Sequence, residues 1–363
     1  MWPCTGRSLS ICEMKQLYLG PRSSSKMRLS RRAFLHLAAW ASTGVMSTAI
    51  TKIRPVQEMR SDQTEVVHTR VFAAGRNGGN PCPVVLSADR LTDSEMQNLA
   101  RRFGLDTVFI LKPQSEAADI RLRYFVPDHE MGISGHATIA AITVALAKKI
   151  VRSDHLKIET ASGLFEVTWL QNKDGYLVTL GQNPPVFGSK ASPDQVAHAL
   201  NIAVDEIALE ESPIQAVSVS RAKLIVPLKD WRTLNRLAPD FDALWRLCDG
   251  LQVSGLYPFT RHTNKENADA EARQFPLRAG FLEDAATGVA AAALGAYLAT
   301  YDLKCQPGRH EFRIAQGYAM GAPSVIETIV ECASGSVTKT AIRGRAQLVA
   351  DADWQAERPK KKS

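Results

Sequence analysis

Two stretches of this chain decide how it is read: Glu130-Met-Gly-Ile-Ser-Gly-His136-Ala-Thr-Ile-Ala-Ala-Ile-Thr-Val-Ala-Leu-Ala147 and Glu283-Asp284-Ala-Ala-Thr287-Gly288-Val-Ala-Ala-Ala-Ala-Leu-Gly-Ala-Tyr-Leu-Ala299. Each passes from an acidic residue through a Gly-containing turn into a run of small residues. In a helix such a run leaves no polar stripe for solvent, and Ile139, Ile142, Leu146, Leu294 and Leu298 add apolar bulk. A helix of this kind is enclosed by other structure. Two of them, roughly 150 residues apart, predict two similar halves, each built around its own helix.

The helix starts are where chemistry is sought. A helix N-terminus has unpaired backbone N–H groups and a partial positive charge, so it receives a carboxylate readily. If the halves face each other with both starts at the seam, Gly135, His136, Thr287 and Gly288 surround a small anion. His136 is of the side-chain type that titrates near neutrality, and Asp284 can position or polarise an amine or hydroxyl. Taken singly, His136 serves equally as a cap of its own helix and Asp284 as a counter-charge to the helix dipole. Their recurrence in two halves favours a site.

The chain has 363 residues, 45% of them hydrophobic, which allows about two packed domains. Its formal net charge is +7, but residues 1–49 hold seven basic residues against the single acid Glu13, so about six of those charges precede the body. The remaining excess lies in the tail Arg358-Pro-Lys-Lys-Lys362. Nucleic-acid binding therefore has no support. Ser30-Arg31-Arg32-Ala33-Phe34-Leu35, followed by the mildly apolar run Leu37 to Ile50, has the form of a twin-arginine export signal, with Met27 as a compact start. That run is too short and mild for a stable membrane anchor. A periplasmic location is expected, with a cytoplasmic one as the alternative if the extension is not a working signal.

Beyond residue 63 the pattern is that of a strand-rich α/β (α+β) protein. Val67–Phe72, Thr107–Leu111 and Ile120–Phe125 read as strands, and Thr92 with Glu95 three residues on reads as a capping box opening a helix through Arg102. Strands follow at Leu156–Glu159, Gly163–Trp169 and Tyr176–Leu180. The Pro- and Gly-containing stretch Gln182–Ser192 marks a junction, after which helix and strand patterns resume. The organisation expected is an export signal and linker at 1–63, a first domain at 64–185, a second at 186–350, whose last strands can pack back on the first, and a basic tail at 351–363.

No Gly-x-Gly-x-x-Gly turn follows a strand and no Gly-Lys-Ser/Thr phosphate loop is present, which disfavours dinucleotide and nucleoside triphosphate chemistry. Beyond the N-terminal segment, Cys82, Cys248, Cys305 and Cys332 form no pattern with zinc spacing. Buried thiols are the default reading, with disulfides open in an exported protein. Asp128-His129-Glu130 are adjacent, so they point apart and read as a solvated turn rather than a metal site.

Gly79-Asn80-Pro81, Thr107-Val-Phe-Ile110, Arg123-Tyr-Phe-Val-Pro127, Gly135-His136-Ala-Thr138, Glu283-Asp284-Ala-Ala-Thr287-Gly288 and Gln316-Gly-Tyr-Ala-Met-Gly-Ala-Pro-Ser324 occur in an order and spacing that resemble the phenazine-biosynthesis isomerase-like (PhzF-like) family, related in fold to diaminopimelate epimerase. The likeness covers roughly residues 66–350. It implies two similar domains, each a curved sheet wrapped around a central helix, an active site between them, and commonly a homodimer. It also implies cofactor-independent proton transfer on a small carboxylate, with a carboxyl at the place of Asp106 as the base, His136 and Asp284 assisting, and Gly135, Thr287 and Gly288 holding substrate.

Three positions depart from the family pattern. Asp106 stands where Glu is usual, which retracts the carboxyl by about a bond length, and misplacement of that order can cost around a hundredfold in rate. Asp106 also has a plain reading, a turn residue bonded to its own backbone. Val289 replaces a serine and Ala285 a proline, so the substrate is expected to differ from the phenazine precursor. Epimerase relatives use two opposed cysteines; here Ser134 lies near one position and no cysteine near the other, which argues against two-thiol racemisation. An isomerase is the leading reading, and a non-catalytic binding protein that keeps the cleft is the alternative.

Overall fold

The computed structural model describes residues 64–356 apart from positions 76 and 211. Residues 1–63, which carry the expected export signal, and the tail beyond 356 lie outside the described residues. In the first half, β1 (Val66–Val71), β2 (Asn80–Val85), β3 (Thr107–Leu111) and β4 (Ile120–Phe125) pair in succession, β2 with β3 in parallel and the others antiparallel. Between β2 and β3 runs α1 (Asp93–Phe103), opened by the capping box of Thr92 and Glu95 and closed by Gly104 in the left-handed region. β5 (Glu130–Met131) and β6 (His155–Thr160) pair with opposite ends of β4, and β7 (Gly163–Asn172) and β8 (Gly175–Gln182) continue antiparallel. The helix between β5 and β6, α2 (Gly135–Ala147), packs on β1, β2, β3, β4 and β8.

The second half repeats the plan. Its elements are β9 (Val186–Lys190), α3 (Pro193–Leu200), β10 (Gln215–Ser218), β11 (Lys223–Pro227), α4 (Trp231–Asn235), α5 (Phe241–Leu251), β12 (Gly255–Thr260), β13 (Ala270–Ala272) and β14 (Phe275–Pro276). They continue with α6 (Gly288–Tyr301), β15 (Gly308–Gln316), β16 (Ser324–Ala333), β17 (Ser336–Gly344), β18 (Ala346–Val349) and α7 (Asp351–Ala356). Strands pair in the order β9, β10, β11, β12, β13, β15, β16, β17, and α6 packs on β10, β11, β15, β16 and β17. Each small-residue helix thus lies inside its own curved sheet. Two antiparallel ladders join the halves: β17 to β8, from Thr340↔Gln182 to Gly344↔Val178, and β18 to β1.

The small residues explain why these two helices are central. Every residue of α2 from Gly135 to Leu146 and of α6 from Gly288 to Ala299 is buried. Only side chains this small let strands approach on all sides. The two helix starts also meet each other. A Cβ on Gly135 would stand 3.2 Å from the Cα of Gly288, and one on Gly288 would stand 2.4 Å from Cδ1 of Ile342, a β17 side chain that covers both.

Several stretches behave differently from a local reading of the sequence. The Pro- and Gly-containing stretch Gln182–Ser192 also contains β9, because Pro184 and Pro185 precede the strand rather than interrupt it. Residues 351–356, grouped with the tail, form α7, and Trp354 is buried with its ring stacked on His68 at 4.2 Å. The four cysteines among the described residues are free and buried. No helix of the described residues is long and apolar enough to cross a membrane.

Candidate active site

Ser134 and Thr287 occupy the N-cap positions of α2 and α6, yet neither side chain caps its helix. Ser134 Oγ donates instead to Asp106 Oδ2 at 2.7 Å, and Thr287 Oγ1 donates to Asp284 Oδ2 at 2.5 Å. Each helix start therefore has the same device: a hydroxyl turned from the helix toward a carboxylate. The consequence is chemical. The first-turn amides receive no cap from these side chains and are left to a ligand, while each carboxylate is held at the mouth of a helix.

Asp106 arrives from the turn that follows Gly104, immediately before β3, and is 6% exposed. Its Oδ2 takes the Ser134 hydrogen bond and lies 3.5 Å from Nε2 of His136, itself 4% exposed. Its Oδ1 has no hydrogen-bond partner among the described residues, and neither has His136 Nε2. Burial raises the Asp106 carboxyl above its ordinary range, with His136 and the Ser134 hydrogen bond drawing it partly back. A raised carboxyl with one free oxygen is suited to exchange protons with a bound ligand. The backbone-turn reading of Asp106 does not hold, since its side chain bonds Ser134 and it is Thr107 that donates to the Leu105 carbonyl.

Asp284 is more firmly fixed. Asn80 Nδ2 donates to its Oδ1 at 2.6 Å and to the Ala286 carbonyl at 2.9 Å, which clamps the turn ahead of α6. Gln316 Nε2 donates to the Asp284 carbonyl at 2.8 Å and its Oε1 accepts the Thr287 N–H at 3.2 Å. Asn80 comes from the β1–β2 hairpin, where Gly79 has φ +91°, a conformation that strains any residue with a Cβ. The same hairpin is tied to the last motif, because the Ala74 and Gly79 amides both donate to the Pro323 carbonyl at 3.0 and 3.1 Å. Motifs far apart in the chain thus converge to hold one carboxylate.

All six expected site residues, Asp106, Gly135, His136, Asp284, Thr287 and Gly288, line one cleft between the helix starts. Val289 and Phe281 make part of its wall apolar, so no donor stands where the family serine would be. Arg221, Lys223 and Gln274 also line the cleft, and no motif in the sequence marks them. Cys82 lies behind the site with no exposure, and burial pushes its thiol well up, with Asp106 and Asp284 adding to the effect. It is not a thiolate facing substrate. Asp128, His129 and Glu130 are exposed, and Arg123 grips both oxygens of Glu130 at 2.7 Å. Among the described residues no group of three or more His, Cys, Asp and Glu is placed to hold a metal ion.

Residues 69–352 match the model of the phenazine biosynthesis-like proteins (PhzC-PhzF). The chain is 34% identical over 296 residues to an uncharacterized isomerase of Bacillus subtilis, YfhB, a match that spans 79% of this chain and 99% of the relative. It superimposes on the crystal structure of a Bacillus anthracis phenazine biosynthesis protein of the PhzF family with a TM-score of 0.72 and 30% identity, covering 79% and 98% of the two chains. A hydroxyproline epimerase of Agrobacterium vitis shares the fold, with a TM-score of 0.54 at 14% identity over 80% of this chain and 92% of that one.

Proposed function

Because this chain belongs to the phenazine biosynthesis-like family and is an isomerase of the PhzF-like kind, we propose that it moves a proton between two carbons of a small anionic carboxylic acid by cofactor-independent general acid/base catalysis. The observation that carries this reading is the buried Asp106 carboxyl, with one oxygen unpartnered and the other 3.5 Å from His136 in the cleft between the two helix starts. The Asp106 carboxylate takes a proton from a substrate carbon, the resulting acid exchanges with solvent, and it delivers a proton to another carbon, so the double bond shifts and no net proton is consumed. His136 stands beside the other oxygen, Oδ2, which also accepts from Ser134. Amides at Gly135 and Gly288 hold the substrate carboxylate, and their fixed dipoles stabilise the charge that spreads into it as the carbon acid ionises. Asp284, locked by Asn80 and Thr287, orients an amino or hydroxyl substituent.

The test is a screen of small amino- and hydroxy-substituted carboxylic acids in deuterated water. A substrate should return from the enzyme as an isomer carrying solvent deuterium at one carbon. Acids that bind throughout the panel without exchange would instead mark a binding protein that has kept the cleft.

Two further properties belong to the same proposal. The protein works as a homodimer, for which Leu164 and Leu170, 49% and 71% exposed on β7, offer apolar contact area. Light scattering of the purified protein reads its mass directly, and a monomer at working concentration would refute the dimer. The protein is exported through the twin-arginine route, motivated by Arg31-Arg32 and the mild apolar run that follows. N-terminal sequencing of the mature protein should begin near Ile50 or beyond, and an intact Met27 start in the cytoplasm would refute export.

A further inference from the structure

Two arginines, Arg273 buried and Arg221 partly buried, show what this fold does with a guanidinium, and the second is left incomplete. Arg273, 9% exposed, is fully provided for: Glu283 accepts from its Nε and Nη2 at 2.8 and 2.7 Å, and the carbonyls of Leu234 and Leu237 accept from its Nη1. Arg221, in the turn between β10 and β11, points into the cleft and donates only to the thioether of Met131, at 2.9 Å. Sulfur of that kind is a weak acceptor, and a guanidinium has five N–H groups to place. Two residues on, Lys223 is 3% exposed and gives one of its three protons to the Ser254 carbonyl at 3.2 Å. Among the described residues neither cation has a carboxylate in direct contact.

Gln274 completes the group. It is 1% exposed, lines the same cleft, and neither its Nε2 nor its Oε1 has a hydrogen-bond partner among the described residues. An orphaned buried amide costs free energy, and an unpaired buried cation costs more, so folds retain them where a ligand completes them. The cleft carboxylates offset these charges only from a distance and pair with neither cation. Asp284 spends its oxygens on the neutral donors Asn80 and Thr287, and Asp106 faces Ser134 and His136.

We propose that Arg221, Lys223 and Gln274 form a second anion subsite, and that the substrate is therefore a small acid with two anionic groups, one at the helix starts and one at this cluster. The proposal rests on the isomerase reading for the chemistry but not for the binding. A carboxylate meets the requirement of the cluster, because it accepts from a planar guanidinium fork while its other lone pairs take the ammonium and the amide. Burial pushes the Lys223 ammonium down to about 7, with Arg221 adding to the effect and Asp284 opposing it, so a bound anion would draw it back up.

The experiment uses the whole purified protein and calorimetric titration with malonate, succinate, glutarate and adipate, each paired with its own monoamide. At least one diacid should bind about tenfold or more tightly than its monoamide, since one charge-assisted pair separates them. Arg221→Gln should bring that diacid down to the affinity of its monoamide, and the monoamide itself should change little. Arg221→Lys, which keeps the charge, should recover part of the preference and guards against a folding defect in the Gln variant. A series in which no diacid binds better than its monoamide overturns the subsite, as does an Arg221→Gln protein that weakens diacid and monoamide equally. Diacid preference with no deuterium exchange on any acid of the substrate screen would sustain the subsite and remove the isomerase reading. Exchange on monoacids that is indifferent to Arg221→Gln would do the opposite.

Discussion

Ser134 gives its hydroxyl proton to Asp106 rather than to the helix it begins, and this 2.7 Å bond is the most direct link between the small-residue helix and the proposed base. The bond draws the Asp106 carboxyl downward against the effect of burial. Ser134→Ala should therefore move the limb of the pH–rate profile on which the base ionises to higher pH. It should also cost about 1 to 3 kcal/mol of stability, because a buried carboxylate oxygen loses its donor. A pH profile measured beside chemical denaturation checks both, and an unmoved limb would show that Ser134 does not set the state of Asp106.

Asp106→Asn should be more stable than the wild type at neutral pH. The folded carboxyl is raised above the unfolded value of 3.8, so between those two values the folded state holds a proton that the unfolded state has released. Stability from this group then falls as pH rises through that window, and its full cost is present above the folded value. Asparagine escapes that cost and can still accept from Ser134. Melting temperatures of both proteins should separate at pH 7 and converge below about pH 4.

Lys223→Met tests the same logic with the opposite sign. The folded ammonium sits at about 7 against 10.5 when exposed, so the unfolded state binds more protons between those values and stability rises with pH across them. The wild type bears the whole cost below pH 7. The variant should be stabilised by a few kcal/mol at pH 6, on the order of what such a difference in proton affinity represents, and by much less near pH 10. A gain that does not depend on pH would assign the effect to packing alone.

Gly288→Ala should spread the helix starts and reduce turnover more than it reduces folding. The added methyl meets Ile342 Cδ1 at 2.4 Å and the Gly135 Cα at 3.4 Å, and overpacking of this kind costs typically about 1 to 3 kcal/mol. Ile342→Val removes that Cδ1. The double variant should regain most of the stability and part of the rate, and a double variant no better than Gly288→Ala would place the conflict elsewhere.

The architecture was legible because α2 and α6 lack a polar face, a property that single residues display without any tertiary knowledge. Asp106, His136 and Asp284 were legible because their surrounding motifs are contiguous, and the structure brings all three to one cleft. Ser134 was noted only for standing near a thiol position; that its hydroxyl would leave its own helix is decided by Asp106, which is distant in sequence. Arg221, Lys223 and Gln274 left no local signal, since a cation in a strand segment gains its meaning from which anions fail to reach it. The strand β9 was hidden by the two prolines that precede it, and α7 by a tail whose buried anchor, Trp354, depends on His68 near the other end of the described chain.

The measurement that bears most directly on the central claim is solvent-deuterium incorporation by wild type and Asp106→Asn on the acid that the screen identifies, followed by NMR under equal saturation. The account expects the variant to bind that acid within a few-fold of the wild type and to exchange at least about a hundredfold more slowly, the scale of a lost general base. An Asp106→Asn protein that incorporates deuterium at the wild-type rate would contradict it.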